Sequence, residues 1–151
     1  MIYLYTDGAS SGNPGPGGYG VVLIYKQQKK ELSAGFRKTT NNRMELLAVI
    51  VGLEALKKAP LDVTVVSDSK YVVDAVNKKW VFGWEKKGFS GKKNPDLWRR
   101  FLRIYRKHNV VMQWVKGHSN HVYNERCDAL AVAAGKQPNL PADTGFEQSL
   151  Q

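Results

Sequence analysis

IYLYTDGAS at residues 2–10 and VTVVSDSKY at residues 63–71 share one design: a short run of β-branched and aromatic residues breaks into a turn at an aspartate, Asp7 in the first and Asp68 in the second. Runs of this composition read as strands. In open α/β sheets, sites form beyond the carboxyl ends of the strands. Two such strands in one sheet would therefore bring two carboxylates to a single edge, and an edge so charged binds metal.

The segments around these strands extend the pattern. Residues 19–26 (YGVVLIYK) read as a second strand, separated from residues 2–6 by the Gly/Pro turn cluster GASSGNPGPGG. LSAGFRKT at 32–39 follows the charged turn KQQKKE as a third strand, so the chain begins with an antiparallel meander. From Asn42 to Lys58 the pattern is helical, with Ala48, Val49, Leu53 and Leu56 on one apolar face and Pro60 beyond its end. The continuous run DVTVVS at 62–67 is that of a buried parallel strand entered through a helical crossover. Helical patterns fill 70–77 and 95–107, with a basic segment between them. VVMQWV at 110–115 reads as a fifth strand, and residues 124–135 as a last helix, capped by Asn124 at its start and Gly135 at its end. The tail, with Pro138 and Pro141, reads as irregular. The expected architecture is a mixed α/β domain with one central sheet.

Composition narrows the function classes. A chain of 151 residues fits one domain with a core of its own. Its single cysteine, Cys127, excludes an internal disulfide framework, and the few apolar residues before Asp7 are too short for a signal peptide. The longest apolar stretch, LLAVIVGL at 46–53, is far below the roughly 20 residues of a bilayer span. The expected setting is a reducing compartment, the cytoplasm, with no membrane association and a monomeric state.

The formal net charge of +10 is unevenly placed. Of the 23 Lys+Arg, eleven lie between Lys78 and Lys107 against only Glu85 and Asp96, which leaves the remainder of the chain nearly neutral. Trp80, Trp84, Phe89 and Trp98 are interleaved with these cations. Cations meet phosphates and rings lie on sugar or base, so the segment points to nucleic acid; a solvated helix pair is the plainer reading.

Two more acids join Asp7 and Asp68. Glu45 lies on the line through Ala48, Val49, Gly52, Leu53 and Leu56 and so faces the sheet, where an unpaired charge costs several kcal/mol. Asp128 stands beside the stripe Cys127, Leu130, Ala131 and Ala134. Each has a local alternative: Asp68 could cap the following helix, Asn42-Arg43-Met44-Glu45 matches a capping box, Asp7 could be a turn residue, and Asp128 an exposed helical acid. Taken together on one sheet edge they read as a ligand set. An all-oxygen set favours Mg²⁺ or Mn²⁺ over zinc. Two such ions can activate a water and stabilise the leaving oxygen of a phosphodiester.

TDGASSGNPGPGGYG, TTNNRMELLA, SDSKYV and WVKGHSNHVYNERCDALA resemble the motifs of bacterial type 1 ribonuclease H over residues 2–135. The resemblance implies a ribonuclease H-like fold, with a five-stranded mixed sheet of three antiparallel and two parallel strands flanked by helices. It implies a catalytic domain over 1–137 with a basic handle at 78–98, followed by a tail over 138–151 that includes DTGF. The implied activity is endonucleolytic cleavage of the RNA strand of an RNA–DNA hybrid, leaving 5′-phosphate and 3′-hydroxyl ends. Asp7, Glu45, Asp68 and Asp128 match the four carboxylates that hold two Mg²⁺ ions, and His118 matches a histidine assisting proton transfer or product release. His121 has no such counterpart.

The resemblance also places Ser10, Gly12, Asn13, Asn41 and Asn42 against the RNA backbone and its 2′-hydroxyls, which an A-like helix displays in a wide minor groove. Lys38, Thr40 and Asn94 would form a phosphate pocket for the DNA strand. Trp80, Trp84 and Phe89, with Lys86, Lys87, Lys92 and Lys93, belong to the handle, as does Trp98, for which core packing is the alternative. Two positions depart from the pattern. Lys70 stands where glutamine is usual beside the RNA, and Lys38 where arginine is frequent; lysine cannot form a bidentate fork. Two other functions fit less well: a non-catalytic module binding hybrid or double-stranded RNA, and a fold relative that cuts DNA.

Overall fold

The computed structural model describes residues 1–117 and 121–151. Its elements, in chain order, are β1 (Ile2–Ser10), β2 (Gly15–Tyr25), β3 (Gln28–Thr39), α1 (Asn41–Glu54), β4 (Asp62–Ser67), α2 (Lys70–Asn77), α3 (Trp80–Lys86), α4 (Pro95–Tyr105), β5 (Asn109–Trp114), α5 (Val122–Gly135) and α6 (Thr144–Ser149). The strands form one sheet in the order β3-β2-β1-β4-β5. The β1–β2 and β2–β3 pairs are antiparallel; β4 runs parallel to β1 and β5 parallel to β4. This is the five-stranded mixed sheet expected from the sequence.

α1 supplies the crossover from β3 to β4, and it is buried almost all round, with Met44, Leu46, Ala48, Val49, Ile50 and Leu53 fully enclosed. A helix apolar on every side must be covered on more than one. Here β1 and β2 lie beneath it and α4 against it, so the core runs from Leu4, Val21, Val63 and Val65 of the sheet through α1 to Trp98, Phe101 and Leu102. α5 covers the other face of β1, β2 and β3. Cys127 is buried there, and burial, with Asp7 nearby, pushes its thiol up to about 12.

Several local expectations are corrected. β1 runs on to Ser10 and β2 begins at Gly15, so Asp7 lies inside a strand and only residues 11–14 of the glycine cluster read as a turn lie outside the strands. α1 ends at Glu54, not Lys58. The basic segment contains a helix of its own, α3. α5 begins at Val122 with His121 at its N-cap, which places Asn124 inside the helix and not at its cap. The tail read as irregular carries α6, with Asp143 as its N-cap accepting from Phe146 N.

One buried cation fastens the tail and the handle to α1. The Arg43 guanidinium is 3 % exposed and forks onto Asp143 (2.8 and 2.9 Å) and Asp96 (2.9 and 2.8 Å), while its Nη1 also donates to Asn94. Thr39 Oγ1 donates to Asp143 at 2.7 Å. A bidentate fork with its partners satisfied is the condition under which a buried charge is tolerated. Arg43→Leu should therefore lower the unfolding free energy by about 3 kcal/mol, because it leaves Asp143 buried without its cation. Urea denaturation measures this, and a loss near zero would show that the network does not hold the tail.

Candidate active site

The site follows from strand register. β1 and β4 pair with a constant offset, from Ile2↔Val63 to Tyr5↔Val66. Continued by two residues, that offset sets Asp7 opposite Asp68, just past the end of β4. Glu45 enters from α1, one turn in from its start and not in its first turn as read from the sequence, and the helix lies so close to β1 that a side chain at Gly8 would strike the backbone of Met44 and Glu45. Carboxylate oxygens of Asp7, Glu45 and Asp68 lie within 4.8 Å of one another. Asp128, on α5, lines the same cleft of about 320 Å³, together with Ser10, Asn41, Asn124 and Glu125.

The helix caps remove two of the local alternatives. Thr40, not Asn42, caps α1, its Oγ1 accepting from Arg43 N at 3.2 Å, so Glu45 is not spent on a capping box. Ser69, not Asp68, caps α2. Glu45 Oε1, Asp68 Oδ1 and Asn124 Oδ1 are buried and have no hydrogen-bond partner among the described residues. Buried oxygens without donors are rare, because each forfeits its hydration. A hard divalent cation is the partner that carboxylates so placed would take, and the donor set is all oxygen.

Without such a cation, Asp7 and Glu45 are pushed toward their protonated forms. Burial, with Asp68 and Asp128 nearby, pushes Asp7 up to about 7, although Gly8 N donates to its Oδ1 at 2.9 Å. Glu45 is raised well above the usual carboxylate range by burial and then by Asp7 and Asp68.

The other expected site residues fall into three groups. Ser10, Asn13 and Asn41 form one rim: Ser10 Oγ donates to Asn41 Oδ1 (3.0 Å), and Asn41 N donates to Asn13 Oδ1 (3.2 Å). Gly12 turns the β1–β2 connection at φ +81°, and Asn42 is exposed at the start of α1. Around Arg43, Thr40 and Asn94 already make internal hydrogen bonds, Asn94 Nδ2 donating to the Tyr71 hydroxyl at 3.0 Å, and Lys38 is exposed on β3. In the handle, Trp80 is 48 % exposed and Trp84 half-buried with Lys92 over its ring, while Lys86, Lys87 and Lys93 are exposed. Phe89 is buried beneath the Arg99 guanidinium, and Trp98 is fully enclosed. Lys70 is exposed over the Trp114 ring. His118 lies outside the described residues.

Asn124, read from the sequence as a helix cap, and Glu125 were not among the expected site residues. The available signal was helical spacing: Asn124 is four residues before Asp128 and so shares its face.

The acidic cluster, on this sheet with these helices, defines a metal-dependent nuclease. The family model described as RNase H matches residues 1–136, and the chain belongs to that family, in its bacterial type 1 branch. A Ribonuclease H from Desulforamulus reducens is 61 % identical over 147 residues, covering 94 % of this chain and 92 % of the relative. Among solved structures, LC9-RNase H1, a type 1 RNase H with the type 2 active-site motif, superposes with TM-score 0.81 at 32 % identity, over 98 % of this chain and 79 % of that one. LC11-RNase H1, solved in complex with RNA/DNA hybrid, gives TM-score 0.68 at 26 % identity, with each chain covered fully.

The protonated acids have a measurable consequence. A carboxyl raised from its unfolded value near 4 to about 7 contributes stability below pH 4 and loses it as pH rises toward 7, since the folded protein then holds the extra proton. In metal-free buffer, Asp7→Asn should raise the melting temperature at pH 8 by a few degrees, roughly 1 kcal/mol or more, and flatten this part of the pH dependence. Calorimetry at pH 5 and pH 8 tests it; equal effects at both would contradict the raised Asp7.

Proposed function

We propose that this protein hydrolyses the RNA strand of RNA–DNA hybrids as an endonuclease, with two Mg²⁺ ions, or Mn²⁺ in their place, held by Asp7, Glu45, Asp68 and Asp128. The observation that carries the reading is the convergence of Asp7, Glu45 and Asp68, with Asp128 lining the same cleft, two of them with buried oxygens that lack a protein partner among the described residues. When bound, such ions make water a better nucleophile at neutral pH and stabilise charge on the leaving oxygen.

The remaining steps belong to the chain's own residues. The rim of Ser10, Gly12, Asn13, Asn41 and Asn42 receives the RNA backbone, where small and amide side chains admit the 2′-hydroxyl. Asn124, four residues from Asp128, offers its amide to the same strand. Lys38, Thr40 and Asn94 receive a phosphate of the DNA strand. The handle, with Trp80, Trp84 and the lysines 86, 87, 92 and 93, follows the duplex electrostatically. A water oxygen attacks the scissile phosphorus, the bond to the 3′-oxygen breaks in line, and the departing oxygen takes a proton, giving 5′-phosphate and 3′-hydroxyl ends. The 2′-hydroxyl is recognised and does not attack. His118 is assigned to proton transfer or product release.

The enzyme acts as a monomer in the cytoplasm, with a catalytic unit over 1–137, the handle over 78–98 and the tail over 138–151. No helix among the described residues is long and apolar enough to cross a membrane.

Matched RNA–DNA, RNA–RNA and DNA–DNA duplexes, each with EDTA and with Mg²⁺ added back, test the reading. Cleavage of the RNA strand of the hybrid alone, dependent on Mg²⁺, is the expected outcome. Asp7→Asn should bind hybrid normally and cut it roughly 100-fold or more slowly, the scale of losing a group that stabilises developing charge. Hybrid binding without metal-restored cleavage would instead make the protein a binding module.

The handle is tested separately. Neutralising Lys86, Lys87, Lys92 and Lys93 should weaken hybrid binding and reduce the dependence of log K on log salt by roughly 0.9 for every phosphate no longer neutralised. An unchanged slope would remove the handle from the binding surface.

A further inference from the structure

We infer that Trp114 is a positioning residue for Asp68: its indole N–H extends the β4–β5 ladder past its last backbone hydrogen bond and fixes the turn that carries this acid. The inference rests on the reading of Asp68 as a metal ligand.

The ladder between β4 and β5 runs from Asp62↔Asn109 to Ser67↔Trp114, and the bond from Val115 N to the Ser67 carbonyl (3.0 Å) lies at its end. The next carbonyl, that of Asp68, lies beyond the paired strands. The Trp114 indole Nε1–H reaches back and donates to it at 3.0 Å. On the inner side of the same turn, Ser69 N donates to Ser67 Oγ at 3.0 Å and Ser69 Oγ caps α2 through Val72 N. The Asp68 main chain is thus fixed from two directions, by a buried serine pair and by an edge tryptophan.

The ring is badly placed for a purely packing role. β5 is the outermost strand of the sheet and Trp114 is 42 % exposed, a position where a large apolar ring gains little from burial. Its ring instead meets the Lys70 ammonium, 4.8 Å from the centroid, which comes from the first residue of α2. The tryptophan therefore bridges the two ends of one turn, holding the carbonyl of residue 68 by its N–H and the side chain of residue 70 by its face. An aromatic residue without a ring N–H would still sit under the lysine but could not hold the carbonyl. Asp68 Oδ1 is buried and has no hydrogen-bond partner among the described residues, so the main-chain tether is what sets where the carboxylate starts from.

Trp114→Phe separates positioning from packing. Mg²⁺ titrated into the protein alone, read by its thermal shift, should show a half-saturation concentration raised about fivefold, the worth of one hydrogen bond made by the liganding turn. Hybrid affinity in EDTA should stay within about twofold, because the ring under Lys70 remains. Loss of thermal stability with an unmoved Mg²⁺ midpoint would reduce Trp114 to a structural residue and overturn the inference.

A measurement on the unmodified protein guards against a variant that folds poorly. The indole N–H resonance of Trp114 should shift during the Mg²⁺ titration with the midpoint of the thermal shift, while that of Trp80 should not. A Trp114 indole indifferent to Mg²⁺ would also overturn it. If the wild-type protein shows neither Mg²⁺-dependent stabilisation nor hybrid cleavage, the reading of the acidic cluster fails first, whatever the variants do.

Discussion

The parallel pairing of β1 with β4 is the constraint on which the rest depends. It brings Asp7 and Asp68, 61 residues apart in sequence, to adjacent positions at one sheet edge, and α1, the helix that makes parallel pairing possible, carries Glu45 to the same place. Carboxylates this close and this buried repel one another, so the apo site holds protons that it would release to a divalent ion. The fold therefore keeps its edge in a less stable state than an apolar edge would have, which is what a site with a cation to bind requires.

The opposite electrostatic problem is solved on the handle side. Much of the formal positive charge is not free: Arg43 is committed to Asp96 and Asp143, Arg100 to Glu54, Arg106 to Glu85, and Lys78 to Asp74. Among the described residues, Lys86, Lys87, Lys92 and Lys93 make no such pair and stay exposed, Lys92 over the Trp84 ring. Arginine is used where a fork must be held and lysine where a mobile point charge suffices. The Arg43 network then ties this surface, through Asn94 and Asp96, to the helix that bears Glu45.

Much of this was legible in the chain itself. Asp68 was visible as the acid just past a strand end and Glu45 as an acid on an apolar helix face, whereas Asp7 proved to lie inside β1, which runs on to Ser10 because it pairs with the glycine-rich start of β2. What sequence could not resolve were choices among neighbouring residues of equal aptitude. Thr40 and Asn42 can both cap α1, and Asp68 and Ser69 can both cap α2; the winner is set by where each strand stops. α3 went unseen because its seven residues have no side-chain cap and begin after Lys79 in a left-handed conformation. Asn124 looked like a cap because asparagine favours that place, whereas packing of α5 on β2 starts the helix earlier and turns Asn124 into the cleft. Gly18 read as part of a turn because the helix that forbids a side chain there lies more than a hundred residues downstream.

The enclosure of Cys127 has a practical side. The chain's one thiol is fully covered and pushed up to about 12, so at neutral pH hardly any of it is thiolate and reagents cannot reach it. A cysteine introduced on the exposed handle, at Trp80 for instance, would be the single reactive sulfur in the folded molecule. A dye or spin label could then be attached there without first replacing the native cysteine on the buried face of α5, and the handle's approach to a duplex followed directly.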